Sequence, residues 1–170
     1  MSISSKDFRD VLRHFPSGVT VVTIKSGDQI HGLTVSAFAS ISPKPPQIMI
    51  AIDHNHSAFP MLESEEVTFA VNFLGQEQSD LSNRFAWTKD EDRFDDIVWY
   101  TAATGAPILK NTVAWLDCIV KTSMSTGTHT IYIGEVIASS VQKADHPPLV
   151  YWNRGYRHLN LSKQVDIQEN

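Results

Sequence analysis

The run His31-Gly-Leu-Thr-Val-Ser-Ala-Phe-Ala-Ser-Ile-Ser42 constrains the fold of this chain more than any other segment. Leu33, Val35, Ala37, Ala39 and Ile41 alternate with Thr34, Ser36, Phe38, Ser40 and Ser42. Successive side chains of a β-strand point to opposite faces, so this period predicts one strand with an apolar face and a hydroxyl-bearing face. Hydroxyls lined up behind Gly32 make a surface that can hold a polar, planar ligand close to the backbone.

Neighbouring segments carry the same signal. Gly18–Ile24 reads as a strand, Gln47–Ile52 as a continuous apolar buried strand, and Val67–Phe73 as an alternating one. Val113–Ser125 and Thr130–Ser140 form a long hairpin across Thr126-Gly127-Thr128, and Leu149–Trp152 closes the list. Helical patterns are short. Ser4 and Ser5 offer a serine cap to an amphipathic segment bearing Phe8, Val11, Leu12 and Phe15 that stops at Pro16; Ala58–Ser64 and Gln76–Phe85 are the other two. Residues 86–112 form the longest irregular stretch. Six or seven strands with few helices predict a mainly β barrel, not a parallel α/β sheet.

With 170 residues and neither repeat nor linker, the chain reads as one domain. A net charge of -5 argues against a general nucleic-acid or anionic-membrane binder while leaving room for a local basic pocket. No apolar run has the length of a membrane helix, and the N-terminus lacks a signal-like apolar region. The single cysteine, Cys118, sits in a strand pattern as a buried, inert thiol and suits a reducing cytoplasm. Rossmann and P-loop glycine patterns, the nucleophile elbow, and zinc-binding motifs are all missing. His54 and His56 lack a third ligand in any recognisable pattern, so no metal site is assigned.

Several short pieces, in order, carry a resemblance. They are Phe15-Pro-Ser-Gly-Val-Thr-Val-Val-Thr23, Gly32-Leu-Thr-Val-Ser-Ala-Phe-Ala-Ser40 followed by Pro45-Pro46, and Phe69-Ala-Val-Asn-Phe-Leu74. Then come Ser82-Asn-Arg-Phe-Ala86, Arg93-Phe94, Gly105-Ala-Pro107, Gly127-Thr-His129, Gly134-Glu-Val136 and Pro148-Leu-Val-Tyr151. Together they resemble the short-chain flavin reductases, the reductase components of two-component flavin-dependent monooxygenases. The resemblance covers about residues 8–159 and leaves 160–170 as a tail.

That resemblance implies an FMN-binding split β-barrel that forms a homodimer, with flavin near the subunit interface. It implies reduction of FMN or FAD by NADH or NADPH, and delivery of reduced flavin to a separate oxygenase. No side-chain general base is needed for hydride transfer, because the flavin supplies the difficult chemistry. In the family's flavin segment, Thr34, Ser36 and Ser40 offer hydroxyls, and Val35 and Ala37 offer main-chain N–H groups. Asp53, Asn55 and Ser57 match its second flavin segment, although loop caps and Asx-turns use the same residue types. Arg84 and then Arg93 are the phosphate candidates, with salt bridges to Asp90, Glu91, Asp92 or Asp95 as the competing role. Phe85, Tyr151 and Tyr156 are candidate aromatic neighbours of the cofactor, or ordinary core packing.

His129 occupies the family's Gly-Asp-His position beside the nicotinamide, with Thr128 here in place of the acid. The missing carboxylate keeps open an FMN-binding electron carrier without a productive nicotinamide site. A third reading is flavin-mediated reduction of another acceptor, such as a corrinoid or ferric chelate.

Overall fold

A computed structural model describes residues 3–64 and 67–163. In chain order the elements are α1 (Ser5–Leu12), β1 (Ser17–Gly18), β2 (Thr20–Ser26), β3 (Gln29–Val35), β4 (Phe38–Pro43) and β5 (Pro46–Asp53). Next come α2 (Phe59–Leu62), β6 (Thr68–Phe73), α3 (Ser79–Trp87), β7 (Trp99–Thr101) and β8 (Pro107–Leu109). β9 (Ala114–Thr126), β10 (His129–Val141), β11 (Val150–Trp152) and β12 (Gly155–Arg157) complete the chain.

The main sheet has seven strands in the order β3-β2-β6-β9-β10-β5-β4. Its two edge strands, β3 and β4, are consecutive and joined only by Ser36 and Ala37. From Val35 to Phe38 the chain can reach roughly 10 Å. The opposite edges of the sheet must therefore lie together, which curls it into a barrel with its seam at this link. The Ala51 N–H donates to the Ala37 carbonyl at 3.1 Å, which extends the β5–β4 pairing into this link.

The barrel lumen is filled by Val22, Ile24, Leu33, Val35, Ile48, Ile50, Ile52, Phe69, Val71, Cys118 and Tyr132. A second cluster, Val19, Val21, Leu74, Phe85, Leu109 and Leu149, lies on the other side of β2. β2 is thus covered on both faces, which is why its residues 20–24 are all buried. Cys118 is enclosed in the lumen, and burial, then the Asp117 carboxylate, pushes its thiol up to about 12. Asn72 is also buried; its side chain donates to the Val21 carbonyl and accepts the Leu109 N–H, tying β8 to the barrel.

The hydroxyl-faced run is not one strand. β3 ends at Val35 and the alternation restarts with the opposite sense: Phe38 packs toward the lumen, while Ala39 and Ile41 face outward. The change of edge at Ser36–Ala37 resets the phase, and a further register shift falls between Ser40 and Ser42. β5 is likewise alternating rather than buried on both faces, with Ile48, Ile50 and Ile52 inside. The helix capped by Ser4 forms as expected, the Ser4 hydroxyl accepting the Asp7 N–H at 3.1 Å. Its apolar residues Phe8, Val11, Leu12 and Phe15 nevertheless remain exposed. The irregular stretch 86–112 contains the β7–β8 hairpin.

Candidate active site

Three cavities meet at the link between β3 and β4, and Ser36 lines all of them. The first, about 330 Å³, is walled by Thr34, His56, Phe85, Trp87, Tyr151 and Tyr156 among others. The second, about 220 Å³, is walled by Val35, Ala37, Asp53, His56 and His129 with their neighbours. The third, about 530 Å³, runs along α1 and includes Ala37 and Tyr151 in its wall. Among the described residues, neither the Ser36 nor the Ala37 N–H donates to a protein acceptor. Two adjacent amides therefore remain open to a ligand at the place where the cavities join.

The side chains around this trough are held by specific contacts. The Thr34 hydroxyl donates to the Ser82 carbonyl at 2.6 Å and fixes α3 against β3. The Tyr156 hydroxyl lies 2.9 Å from both Ser82 Oγ and Asn83 Oδ1, so β12 grips the same helix. Tyr151 meets the Tyr156 ring edge-on, with centroids 5.8 Å apart. Phe85 projects from α3 and is fully buried in the cluster behind the first cavity.

On the second cavity, His129 pairs with Asp53 across β10 and β5. Its Nδ1 lies 2.9 Å from the Thr128 hydroxyl. A hydroxyl thus replaces the carboxylate of the Gly-Asp-His pattern as the group that orients the ring. The Asp53 carboxylate accepts the Asn55 N–H at 2.8 Å, and this bond leads the interactions holding its carboxyl below the usual range.

His56 lies in both the first and second cavities. Its Nδ1 accepts the Ala58 N–H at 3.1 Å, which leaves the proton on Nε2. Burial, followed by the Arg93 and His31 charges, pushes the imidazole below its ordinary value, so the ring is neutral at pH 7. Behind it, His31 Nε2 lies 3.2 Å from both the Asp90 carboxylate and the Ser57 hydroxyl. Burial is the largest influence on His31 and lowers it, with Asp90 pulling the other way.

In this network Arg93 is engaged by protein acceptors and lines none of the three cavities. Its side chain is 7% exposed, and it donates to the Gly32 carbonyl at 2.8 Å and the Thr88 carbonyl at 2.9 Å. It also pairs with Asp90 at 3.0 Å. Arg84 donates to the Asp95 carbonyl at 2.5 Å and lines none of the three cavities. Both arginines fasten residues 88–95 to the barrel. Ser40, Asn55 and Ser57 also lie outside the three cavities. Thr34, Val35, Ser36, Ala37, Asp53, Phe85, His129, Tyr151 and Tyr156 are brought together around them.

A model of the flavin reductase like domain matches residues 12–160. The chain belongs to this family. It is 34% identical to an NADH:FMN oxidoreductase of Rhodococcus qingshengii over 157 residues, covering 91% of this chain and 81% of that one. An NADH:FAD oxidoreductase of Streptomyces globisporus, solved with NAD and FAD fragments, superposes with a TM-score of 0.86 at 30% identity. That match covers 96% of this chain and 99% of the other. Nitrilotriacetate monooxygenase component B from Mycobacterium thermoresistibile gives a TM-score of 0.89 at 27% identity, covering 97% and 92%. The seam-closed sheet is accordingly the split barrel of these flavin reductases, and the activity is NAD(P)H-dependent flavin reduction.

For a flavin reductase, the trough has suitable chemistry. It offers open amides, a neutral imidazole donor, hydroxyls and aromatic walls, which match a planar ring with a polar edge. His56 carries no cofactor role in the sequence beyond that of a histidine in the polar loop 53–57, and residues 53–56 do form a turn, closed by the His56 N–H to Asp53 carbonyl bond at 3.0 Å. Its signal in the sequence would have been that turn, with Asp53 capping Asn55.

Proposed function

We propose that flavin, FMN or FAD, lies along the Ser36–Ala37 link, and that the nicotinamide of NADH or NADPH is brought to it from the His129 side. The reduced flavin passes to a separate oxygenase component. The meeting of three cavities at two unbonded amides carries this reading. When bound, the flavin supplies the hydride-accepting chemistry; the protein's residues hold and orient the partners. The Ser36 and Ala37 amides and His56 Nε2 face the polar edge of the ring. Tyr151 and Tyr156 limit the space beside it.

The ordered His129 favours a reductase over an electron carrier, because Thr128 and the nearby Asp53 fix an imidazole on the cavity wall. The relative named as component B of a monooxygenase supports a separate oxygenase partner. A homodimer fits the exposed Phe8, Val11, Leu12 and Phe15, an apolar face that a second copy would cover. The single buried Cys118 suits the cytoplasm, and among the described residues no helix is long and apolar enough to cross a membrane.

Ala37→Trp tests the placement. Ala37 is exposed and outside the core, so the indole should fill the trough while the melting temperature stays within about 2 °C of wild type. The dissociation constant for FMN, read from flavin fluorescence, should rise at least about tenfold, equivalent to about 1.4 kcal/mol. Wild-type affinity in the variant would place the flavin elsewhere.

A further inference from the structure

Three arginines line the third cavity: Arg9 and Arg13 from α1, and Arg154 from the turn between β11 and β12. We propose that they form an anion site for a phosphate group of the nucleotide that occupies the trough. The inference rests on the trough being the ligand seat, because this cavity shares Ser36 with both others and Tyr151 with the larger one.

Charge is the first argument. In a chain of net charge -5, this cavity reverses the local sign. Arg13 and Arg154 share one carboxylate, Asp10, at 3.6 Å and 3.5 Å, and Lys6 takes the same carboxylate at 2.9 Å. Lys6 is the main cause of Asp10's lowered carboxyl, with Arg13, Arg154 and Arg9 adding to it despite some desolvation. Arg9 has no ion pair among the described residues. Arg13 keeps a buried Nε donor without a partner. One acid thus faces four cations, and the surplus positive charge points at a cavity.

The second argument is how Arg154 gets there. Asn153 and Arg154 both have positive φ, 48° and 63°. Asparagine tolerates that region, but arginine there is strained. The turn is held in place: the Asn153 N–H donates to the Arg13 carbonyl at 2.9 Å, and Trp152 Nε1 to the His14 carbonyl at 3.2 Å. A helix dipole accounts for basic residues near the end of α1, but not for a third arginine delivered by a strained turn some 140 residues away. Guanidinium groups converging from two elements match the geometry of phosphate oxygens.

The phosphate could belong to the flavin or to the nicotinamide nucleotide, and the experiment separates them. Arg9→Glu/Arg154→Glu is compared with Arg9→Lys/Arg154→Lys and wild type, at low and high salt. Dissociation constants are measured for FMN and riboflavin, and KM for NADH at saturating FMN. The charge-reversed protein should lose tenfold or more in one phosphate-bearing ligand and lose the wild-type salt dependence, with riboflavin affinity unchanged and the lysine pair closer to wild type. A loss for FMN assigns the flavin phosphate; a loss only in the KM for NADH assigns the dinucleotide. Both constants within twofold of wild type, or an equal loss for riboflavin, would overturn the anion site. Ala37→Trp separates the two levels of the account. If it blocks FMN while the arginine variants bind normally, only the anion site is wrong; if it does not block FMN, the seat itself is misplaced.

Discussion

Arg93→Ala should lower stability by about 3 kcal/mol, the result of losing two charged hydrogen bonds from a buried guanidinium to main-chain carbonyls. The guanidinium satisfies the Gly32 and Thr88 carbonyls and the Asp90 carboxylate at once. Removing it strands the Gly32 carbonyl inside the barrel wall and frees residues 88–95 from β3. Against a typical total of about 5–15 kcal/mol, that is a large fraction. For a domain of this size the melting temperature should fall by roughly 10 °C. Arg93→Lys should recover little, because a single ammonium cannot span the same three acceptors. A phosphate-binding arginine would behave in the opposite way, weakening FMN with the melting temperature intact. Paired measurements of melting and FMN affinity decide between the two roles.

Gly32→Ala should be nearly as damaging. A Cβ at this position would lie 2.4 Å from Phe85 Cε1 and 2.6 Å from Cδ1, with Phe94 Cζ at 3.3 Å. Phe85 is fully buried and its ring meets Phe94 edge-on, so it cannot retreat into the core. The open direction is the cavity that Phe85 lines. The substitution should therefore cost about 3 kcal/mol of stability through overpacking and also weaken FMN. Gly18→Ala is the control, since nothing lies within 4 Å of its Cβ position, and it should stay within about 0.5 kcal/mol of wild type. Unchanged melting and FMN affinity in Gly32→Ala would show that the ring has another place to go.

The alternation in residues 31–42 was legible as β structure because Leu33 and Val35 do face the lumen. What it could not show was the break at Ser36–Ala37. Nothing in the local pattern reveals that the chain leaves one edge of a seven-stranded sheet for the other, since that depends on the order of all the strands. The same break inverts Phe38, Ala39 and Ile41 and is where the three cavities meet. Thr34, His129 and Tyr151, which the family motifs single out, do line the cavities that meet at this break.

The arginines were not. Arg84 and Arg93 lie in the right segment, yet their guanidinium groups turn toward carbonyls of residues folded over them. Arg9, Arg13 and Arg154 come from opposite ends of the chain and converge only through the β11–β12 turn. Charge summed over a sequence does not show where charge is concentrated.

The most direct test is anaerobic stopped-flow absorbance of the purified protein with FMN, then FAD, mixed with NADH or NADPH. Fast bleaching of the flavin band that saturates with nucleotide concentration is the predicted result, and it identifies the preferred pair. Flavin bound tightly but not bleached by either nucleotide would contradict the account and leave a flavin carrier on a reductase fold.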